Sequence, residues 1–443
     1  VYDKCETNIS TLPNGLRVVS RVTNDPITNI GLFVNAGSRY CSPETSGVGH
    51  FLESCAVEGT MNINANRFQE NLARTGSGLM VQAFRDAMLY QVETFNRHAD
   101  FAMESIAELI WNPRLEDYRI SKMKKEYLWR RGDCMKEAES EIPEYMHQAA
   151  YQGNTLGLPL YCDHHSIANI SRSVIDEFTN VFYQPSRMIC VGVGIDHASL
   201  ERIASDTLGD LKNHEQFANI QPEAARYTGG QLKFKYEFEN NDDTHISLIF
   251  ETENWKSEDL MSLCVLNMIM GGGGSFSAGG PGKGMYTRLY REVLGTYHWI
   301  NHISCSHSIF DDSGIFALYG CCQSEQSHEL TSVMVREAIN MLLRPPTEKE
   351  INRAKQALAS NICFEFENRQ IVFEDIARQV QVYGTHKTPE MWRQDIMNVS
   401  KDDILRVAKK LLTSNPTLLA MGHDVSRVPQ QEEIKTVIKD AIA

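Results

Sequence analysis

The sequence has no uninterrupted apolar run of the roughly 18 to 20 residues that a membrane-spanning helix needs. Any membrane association is therefore expected to go through a partner, with no direct span. No cysteine pair has CxxC spacing, and the 11 cysteines are scattered and odd in number. Because this pattern offers no disulfide framework, buried free thiols in a reducing compartment are expected.

Basic residues are outnumbered, with 43 Lys and Arg against 57 Asp and Glu and a net charge of −14. A nucleic-acid groove or an anionic membrane surface would meet net repulsion, so no nucleic-acid partner is expected. A cationic partner fits this balance better, although surplus carboxylates can also serve only to keep a large protein in solution. The chain opens without a methionine, so an N-terminal segment such as a targeting peptide is expected to precede it.

The 443 residues are about three times a typical domain, which indicates several cores or an internal duplication. Self-comparison favours a duplication, because the same order of apolar and amphipathic segments occurs twice. The paired segments, first half and then second half, are 30–34 and 246–250, 49–55 and 260–270, 87–94 and 315–320, 101–110 and 330–343, 115–130 and 348–364, and 188–196 and 417–424.

Each repeat is predicted to be an α+β unit, a mostly antiparallel sheet with helices packed on one face. Residues 1–212 form the predicted N-terminal lobe and 231–443 the homologous C-terminal lobe. The polar stretch 213–230, with Pro222 and a Gly-Gly pair, is the predicted linker. Two such lobes predict a bilobed, clam-like arrangement with a cleft that could take a ligand.

One motif looks catalytic. The segment 49–55 is predicted to be a helix, and His50 and Glu53 are spaced so that they share one face of it. In an HxxEH metallopeptidase two imidazoles hold zinc while the glutamate takes a proton from water. Here Ser54 stands at the second imidazole position, and a hydroxyl is a poor neutral ligand for zinc.

Together with several other segments, this motif resembles the pitrilysin-type zinc peptidases with the inverted HxxEH motif. The similarity is to the branch that holds the mitochondrial processing peptidase and the core proteins of complex III. It covers essentially the whole chain, and two segments are closer to the α-type than to the zinc-bearing β-type subunits. The segments that carry it are 47–61, 112–114, 147–162, 187–194 and 271–289.

The resemblance implies a third zinc ligand, a glutamate on the long charged helix, whose position falls on Arg130 or Arg131 here. Only His50 matches a family ligand, and a guanidinium would repel a metal ion. We therefore predict no catalytic residue, no metal and no cofactor in this chain. His50 and Glu53 are interpreted as a hydrogen-bonded pair on the helix.

The stretch between Gly271 and Gly284 holds eight of the 29 glycines. A phosphate loop is disfavoured, because Lys283 is followed by glycine and not by Ser or Thr. Such bare backbone can lie against an extended peptide, although it can also be a plain connector. The candidate substrate-binding residues are Gly271, Gly272, Gly273, Gly274, Ser275, Phe276, Ser277, Gly279, Gly280, Gly282, Lys283 and Gly284.

The resemblance implies that this loop takes up presequences, which are Arg-rich targeting peptides, and delivers them to the zinc site of a β subunit. The leading hypothesis is therefore a non-catalytic α-type subunit with the β subunit, presequence peptides and other complex III subunits as partners. The mitochondrial matrix, or the matrix face of the inner membrane, is the expected location. The alternatives are a purely structural core protein of complex III and an autonomous metallopeptidase.

Overall fold

A computed structural model describes residues 7–214, 216–217, 223–238, 242–274 and 285–442. The chain divides into two compact units, each assembled from three separate stretches. Unit 1 comprises Val1–Arg131, Leu158–Glu223 and Phe364–Lys387, and unit 2 comprises Gly132–Gly157, Ala224–Cys363 and Thr388–Ala443.

Unit 1 is built on a six-stranded sheet with the order β1-β2-β6-β3-β5-β4. Strands β2 and β6 run parallel and every other neighbouring pair is antiparallel. Its strands are β1 (Thr7–Thr11), β2 (Arg17–Arg21), β3 (Ile27–Val34), β4 (Gly78–Ala83), β5 (Met88–Phe95) and β6 (Met188–Val193).

Unit 2 has a six-stranded sheet with the order β7-β12-β8-β11-β10-β9, again with a single parallel pair, β7 and β12. Five strands occupy matching places in the two sheets, while β1 and β9 are additions at opposite edges. Its strands are β7 (Gly230–Lys235), β8 (Asp243–Thr252), β9 (Gly272–Gly274), β10 (Ile300–Ile309), β11 (Gly314–Gln323) and β12 (Thr417–Gly422). The predicted α+β class with mostly antiparallel sheets is confirmed.

Helices cover both sheets. Within the described residues, no helix has the length and apolar content to cross a bilayer. They are α1 (Val48–Cys55), α2 (Ala65–Thr75), α3 (Ala99–Trp111), α4 (Asp117–Cys134), α5 (Ala138–Tyr151), α6 (Ser166–Asn169), α7 (Arg172–Phe182), α8 (His197–Leu208), α9 (Leu260–Met270), α10 (Ser327–Leu343), α11 (Glu348–Glu365), α12 (Arg369–Tyr383), α13 (Pro389–Asn398), α14 (Lys401–Thr413) and α15 (Gln431–Ile442).

The main hydrophobic core of each unit lies between one sheet face and a layer of helices. In unit 1, α1, α3 and α8 bury their apolar sides against β3, β5 and β6. In unit 2, α9, α10 and α14 do the same against β8, β11 and β12. This layer is the one that the sequence pattern predicts.

The opposite sheet face is also covered, which the sequence pattern did not predict. In unit 1 it packs against α12, through Phe373, Ile376 and Val380. In unit 2 it packs against α5, through Ile142 and Met146. The physical reason is that the central strands are apolar on both faces, so one helix layer would leave half of their side chains in water.

The two covering helices occupy equivalent places in the two repeats, yet α5 from the first half of the sequence belongs to unit 2, and α12 from the second half belongs to unit 1. The compact units are therefore discontinuous along the chain. The predicted boundaries 1–212, 213–230 and 231–443 concern where the sequence repeats meet, and they stay a prediction.

Candidate functional site

The HxxE motif lies on α1, whose buried side is formed by Val48, Phe51, Leu52 and Cys55. This spacing turns His50, Glu53 and Ser54 toward the partly exposed side of the helix. The helix begins after Gly47, which has a φ of 77° and packs so tightly on Cys162 that a Cβ would overlap it. The start of the helix is thus fixed by a position that favours glycine.

His50 is held by Tyr127 on α4, with 2.8 Å between Nδ1 of the imidazole and the phenolic oxygen. The same oxygen accepts the backbone N–H of Cys162 at 2.9 Å. Burial, and secondly the charge of Arg131, lower the pKa of His50 to about 4. The imidazole is therefore neutral at physiological pH.

Glu53 does not bond to His50, contrary to the interpretation of the two as a hydrogen-bonded pair. Its Oε2 accepts the backbone N–H of Ala83, the last residue of β4, at 2.8 Å. Burial raises the pKa of Glu53, and this bond opposes the rise. The carboxylate therefore ties α1 to the edge strand of the sheet, which is a structural role.

Arg131 is the arginine that reaches the His50 environment. Its guanidinium carbon lies 4.4 Å from the ring centroid of Tyr161, and that ring lies 4.6 Å from the imidazole of His50. Arg130, the other residue at the third-ligand position of the sequence, is exposed. The helical phase of α4 thus distinguishes the two arginines, which sequence spacing left open.

These groups do not fit a zinc ion. Nδ1 of His50 is engaged by Tyr127, and the hydroxyl of Ser54 donates to the carbonyl of His50 at 3.2 Å. The nearby fixed charge, Arg131, has the same sign as the metal. In the part of the chain that the structure describes, no group of three or more His, Cys, Asp or Glu side chains could hold a metal. That this chain binds no metal stays a prediction.

The described part of the glycine-rich stretch is an edge strand. Gly271 closes α9, and β9, which is Gly272–Gly274, pairs with β10 at His302, Ile303 and Ser304. A Cβ on Gly272 would overlap the Ile303 carbonyl, so this close pairing requires glycine. The other candidate residues, Ser275, Phe276, Ser277, Gly279, Gly280, Gly282, Lys283 and Gly284, lie outside the described residues.

An acidic groove of about 880 Å³ in unit 2 was missed by the sequence analysis. Asp243 lies in it and accepts a hydrogen bond from Asn301 at 2.7 Å, beside the point where Gly274 pairs with His302. The groove therefore opens at the same end of the sheet as the glycine strand. Its other lining residues are Asp242, Gln323, Ser324, Glu325, His423, Asp424 and Arg427.

Two family models match most of the chain. The model described as "Insulinase (Peptidase family M16)" matches residues 17–164. The model described as "Peptidase M16 inactive domain" matches residues 169–358.

Curated relatives match over nearly the full length. The chain is 33% identical to the mitochondrial-processing peptidase subunit alpha of Homo sapiens, over 98% of this chain and 85% of the relative. It is also 33% identical to the protein of the same name from Solanum tuberosum, with the same coverage. A solved protease structure from Helicobacter pylori shares the fold, with a TM-score of 0.83, 18% identity, and coverage of 94% of this chain and 99% of that one.

Restoring the missing ligands should create a zinc site. In the double variant Ser54→His with Arg131→Glu, two imidazoles and a carboxylate would stand where the family places them. We expect one zinc per chain, bound at least about a hundredfold more tightly than by the wild type. Isothermal titration with zinc, supported by metal analysis after dialysis, measures the difference.

The matched control is Ser54→His with Arg130→Glu, which has the same composition but an exposed carboxylate. We expect this control to bind zinc no better than Ser54→His alone. Equal affinity of the two double variants would show that Arg131 does not occupy the third-ligand position.

Proposed function

Because the chain belongs to the insulinase family of peptidases, M16, we propose that it is a non-catalytic α-type subunit of a mitochondrial processing peptidase. In this role it binds presequence peptides and presents them to a zinc-bearing β-type partner. The proposal is carried by β9, an edge strand of three glycines, in a chain whose HxxE centre has lost zinc ligands. The homology to processing-peptidase α subunits rests on 33% identity over 98% of this chain.

The HxxE centre supports a division of labour between two subunits. With Ser54 in place of an imidazole and Arg131 close to His50, the HxxE centre is not suited to activate water through a metal. Glu53, which would take the proton, is committed to the amide of Ala83. Cleavage would therefore need zinc from another subunit.

The glycine strand supports peptide binding. Among the described residues, β9 has a strand neighbour on one side only, β10. An extended peptide can add to such an edge through main-chain hydrogen bonds, and glycine offers no side chain to obstruct its approach. Gly272 is partly engaged already, since its N–H donates to the Thr287 hydroxyl at 3.3 Å. Of the residues that the structure describes, none has an atom within 4 Å of where the Cβ of Gly273 would be.

The acidic groove supports a basic peptide as the ligand. Four carboxylates face one arginine and one histidine in it, which gives a net negative potential. Presequences are rich in arginine, and the groove lies at the end of the sheet where Gly274 leaves β9. A peptide paired with β9 could therefore place a basic side chain near these carboxylates.

The matrix, or the matrix face of the inner membrane, is the proposed location, with a β-type subunit and presequences as partners. A core position in complex III is part of the same proposal, and a purely structural core role is its alternative. Purification from mitochondria tests this point. Co-purification with cytochromes without any presequence affinity would favour the structural role.

Reconstitution tests the proposal directly. The isolated chain should contain substoichiometric zinc and leave a fluorogenic presequence peptide intact, because Ser54 and Arg131 stand where the family places zinc ligands. Adding a zinc-bearing β-type partner should produce cleavage well above that of the partner alone. Cleavage by the isolated chain, or no gain over the partner alone, would contradict the proposed role.

Gly272→Ala should weaken presequence binding by about tenfold, because the new methyl group would displace β9 from β10 at a cost of roughly 1 to 3 kcal/mol. Gly78→Ala, at the start of β4 in unit 1, is the control, since no described atom lies within 4 Å of where its Cβ would be. Fluorescence anisotropy with a labelled presequence measures both variants, and the thermal midpoint checks their folding. If Gly272→Ala binds as tightly as Gly78→Ala, β9 is not the peptide site.

Neutralising the groove with Asp242→Asn and Glu325→Gln should weaken binding of the same peptide by about three- to tenfold at low salt. Both side chains are exposed, so the fold should be unaffected. The control, Glu258→Gln with Asp440→Asn, removes the same charge from exposed positions elsewhere in unit 2. An equal loss in both variants would mean that only net charge matters and that the groove has no specific part.

A further inference from the structure

Helix α4 carries, on its unit 1 part, an exposed stripe of two aromatic rings with two lysines between them. The members of this α4 stripe are Tyr118, Lys122, Lys125 and Trp129. Their spacing of four, three and four residues follows the helical repeat, so they lie on one face of the helix over a length of about 16 Å. The opposite face is the buried one, formed by Ile120, Met123 and Tyr127.

The two aromatic rings of the stripe lie mostly in water. Trp129 is 72% exposed and Tyr118 is 63% exposed, whereas the other four tryptophans of the chain are buried or half-buried. Within the described part of the chain, the indole of Trp129 makes no hydrogen bond and no ring contact. A partner that covers this ring removes a large apolar surface from water, and tryptophan is enriched among the residues that dominate protein–protein affinity.

The stripe is basic within an acidic protein. Residues 118–130 include five Lys and Arg against one acidic residue, while the whole chain has a net charge of −14. Lys122 is paired with Glu126 at 3.3 Å, in a pair that is open to water. Lys125 and Arg130 are exposed, and neither has an ion pair or hydrogen bond among the residues that the structure describes. The stripe therefore presents positive charge that this chain does not compensate.

Charge complementarity selects the kind of partner. Carboxylates on an acidic segment would lie over the two lysines, and an apolar side chain of the same segment would pack on the indole. A second copy of this chain is disfavoured, because two copies with a net charge of −14 each repel one another. An anionic bilayer meets the same overall repulsion.

We propose that the α4 stripe is a docking surface for an acidic segment of a partner subunit. Trp129 supplies most of the affinity, and Lys122 and Lys125 fix the register and speed the encounter. The identification of the partner as a β-type subunit rests on the proposed function. The stripe lies in unit 1, apart from the peptide-binding strand proposed in unit 2, so assembly and peptide binding can be measured separately.

The first experiment measures assembly of the full chain with a zinc-bearing β-type partner by isothermal titration. Trp129→Ala should weaken assembly by about tenfold or more, because the indole is the largest apolar group of the stripe. Phe364→Ala at the end of α11 is the control, since this ring is 68% exposed but lies outside the stripe. The thermal midpoint checks that both variants fold. Wild-type affinity in Trp129→Ala would overturn the proposal.

The second experiment reverses the charge of the stripe. Lys122→Glu with Lys125→Glu should weaken assembly by about tenfold at low salt, and the difference from the wild type should shrink at high salt. Lys401→Glu with Lys409→Glu, at exposed positions of α14, makes the same change of net charge elsewhere. An equal loss in both double variants would mean that only net charge matters, and it would refute the docking surface.

The third experiment identifies what covers the stripe. With Trp129→p-benzoylphenylalanine, ultraviolet light should cross-link position 129 to an acidic segment of the partner, located by mass spectrometry. Cross-links to a second copy of this chain would overturn the proposal. So would flotation of the wild type, but not of Trp129→Ala, with vesicles of phosphatidylcholine and phosphatidylglycerol.

Presequence cleavage at saturating partner separates this proposal from the proposed function. Cleavage by the wild-type assembly, combined with unchanged affinity in both stripe variants, would remove the docking surface and leave the proposed function standing. Failure of the wild type to assemble with the partner at all would overturn both.

Discussion

The central strands of both sheets are apolar on both faces, and the rest of the fold depends on this constraint. β6 and β12 are buried along their whole length, so each sheet must be covered on two sides. One side receives the helix layer that follows from the order of segments in each repeat. The other side receives a single helix, α12 in unit 1 and α5 in unit 2. The double burial removes more apolar surface from water than one layer could.

Around the HxxE motif, hydrogen bonds join α1 to the neighbouring elements of unit 1. Tyr127 joins α4 to α1 through His50 and also holds the backbone at Cys162. Glu53 holds the end of β4. His50 and Glu53 therefore make structural contacts between α1 and its neighbours. These hydrogen bonds stabilise the unit by themselves.

The periodicity of apolar residues was enough to predict individual helices and strands. The helix expected at 260–270 is α9 at the same residues, and the strand expected at 188–196 contains β6. The sheet face that α12 covers could not be predicted, because an apolar helix face shows that it is buried but not against what. For the same reason the acidic groove, whose residues come from separate segments, was invisible in the sequence. Spacing alone also could not decide between Arg130 and Arg131.

The placement of α12 has a consequence for synthesis on the ribosome. The face of the first sheet that includes Phe33 and Ile189 is covered by residues of α12, Arg369–Tyr383, together with Phe366 just before it. The nascent N-terminal half therefore emerges with one apolar face of its sheet uncovered. That face stays uncovered until most of the polypeptide has been translated. During that interval the chain is a natural client for chaperones that shield apolar surface.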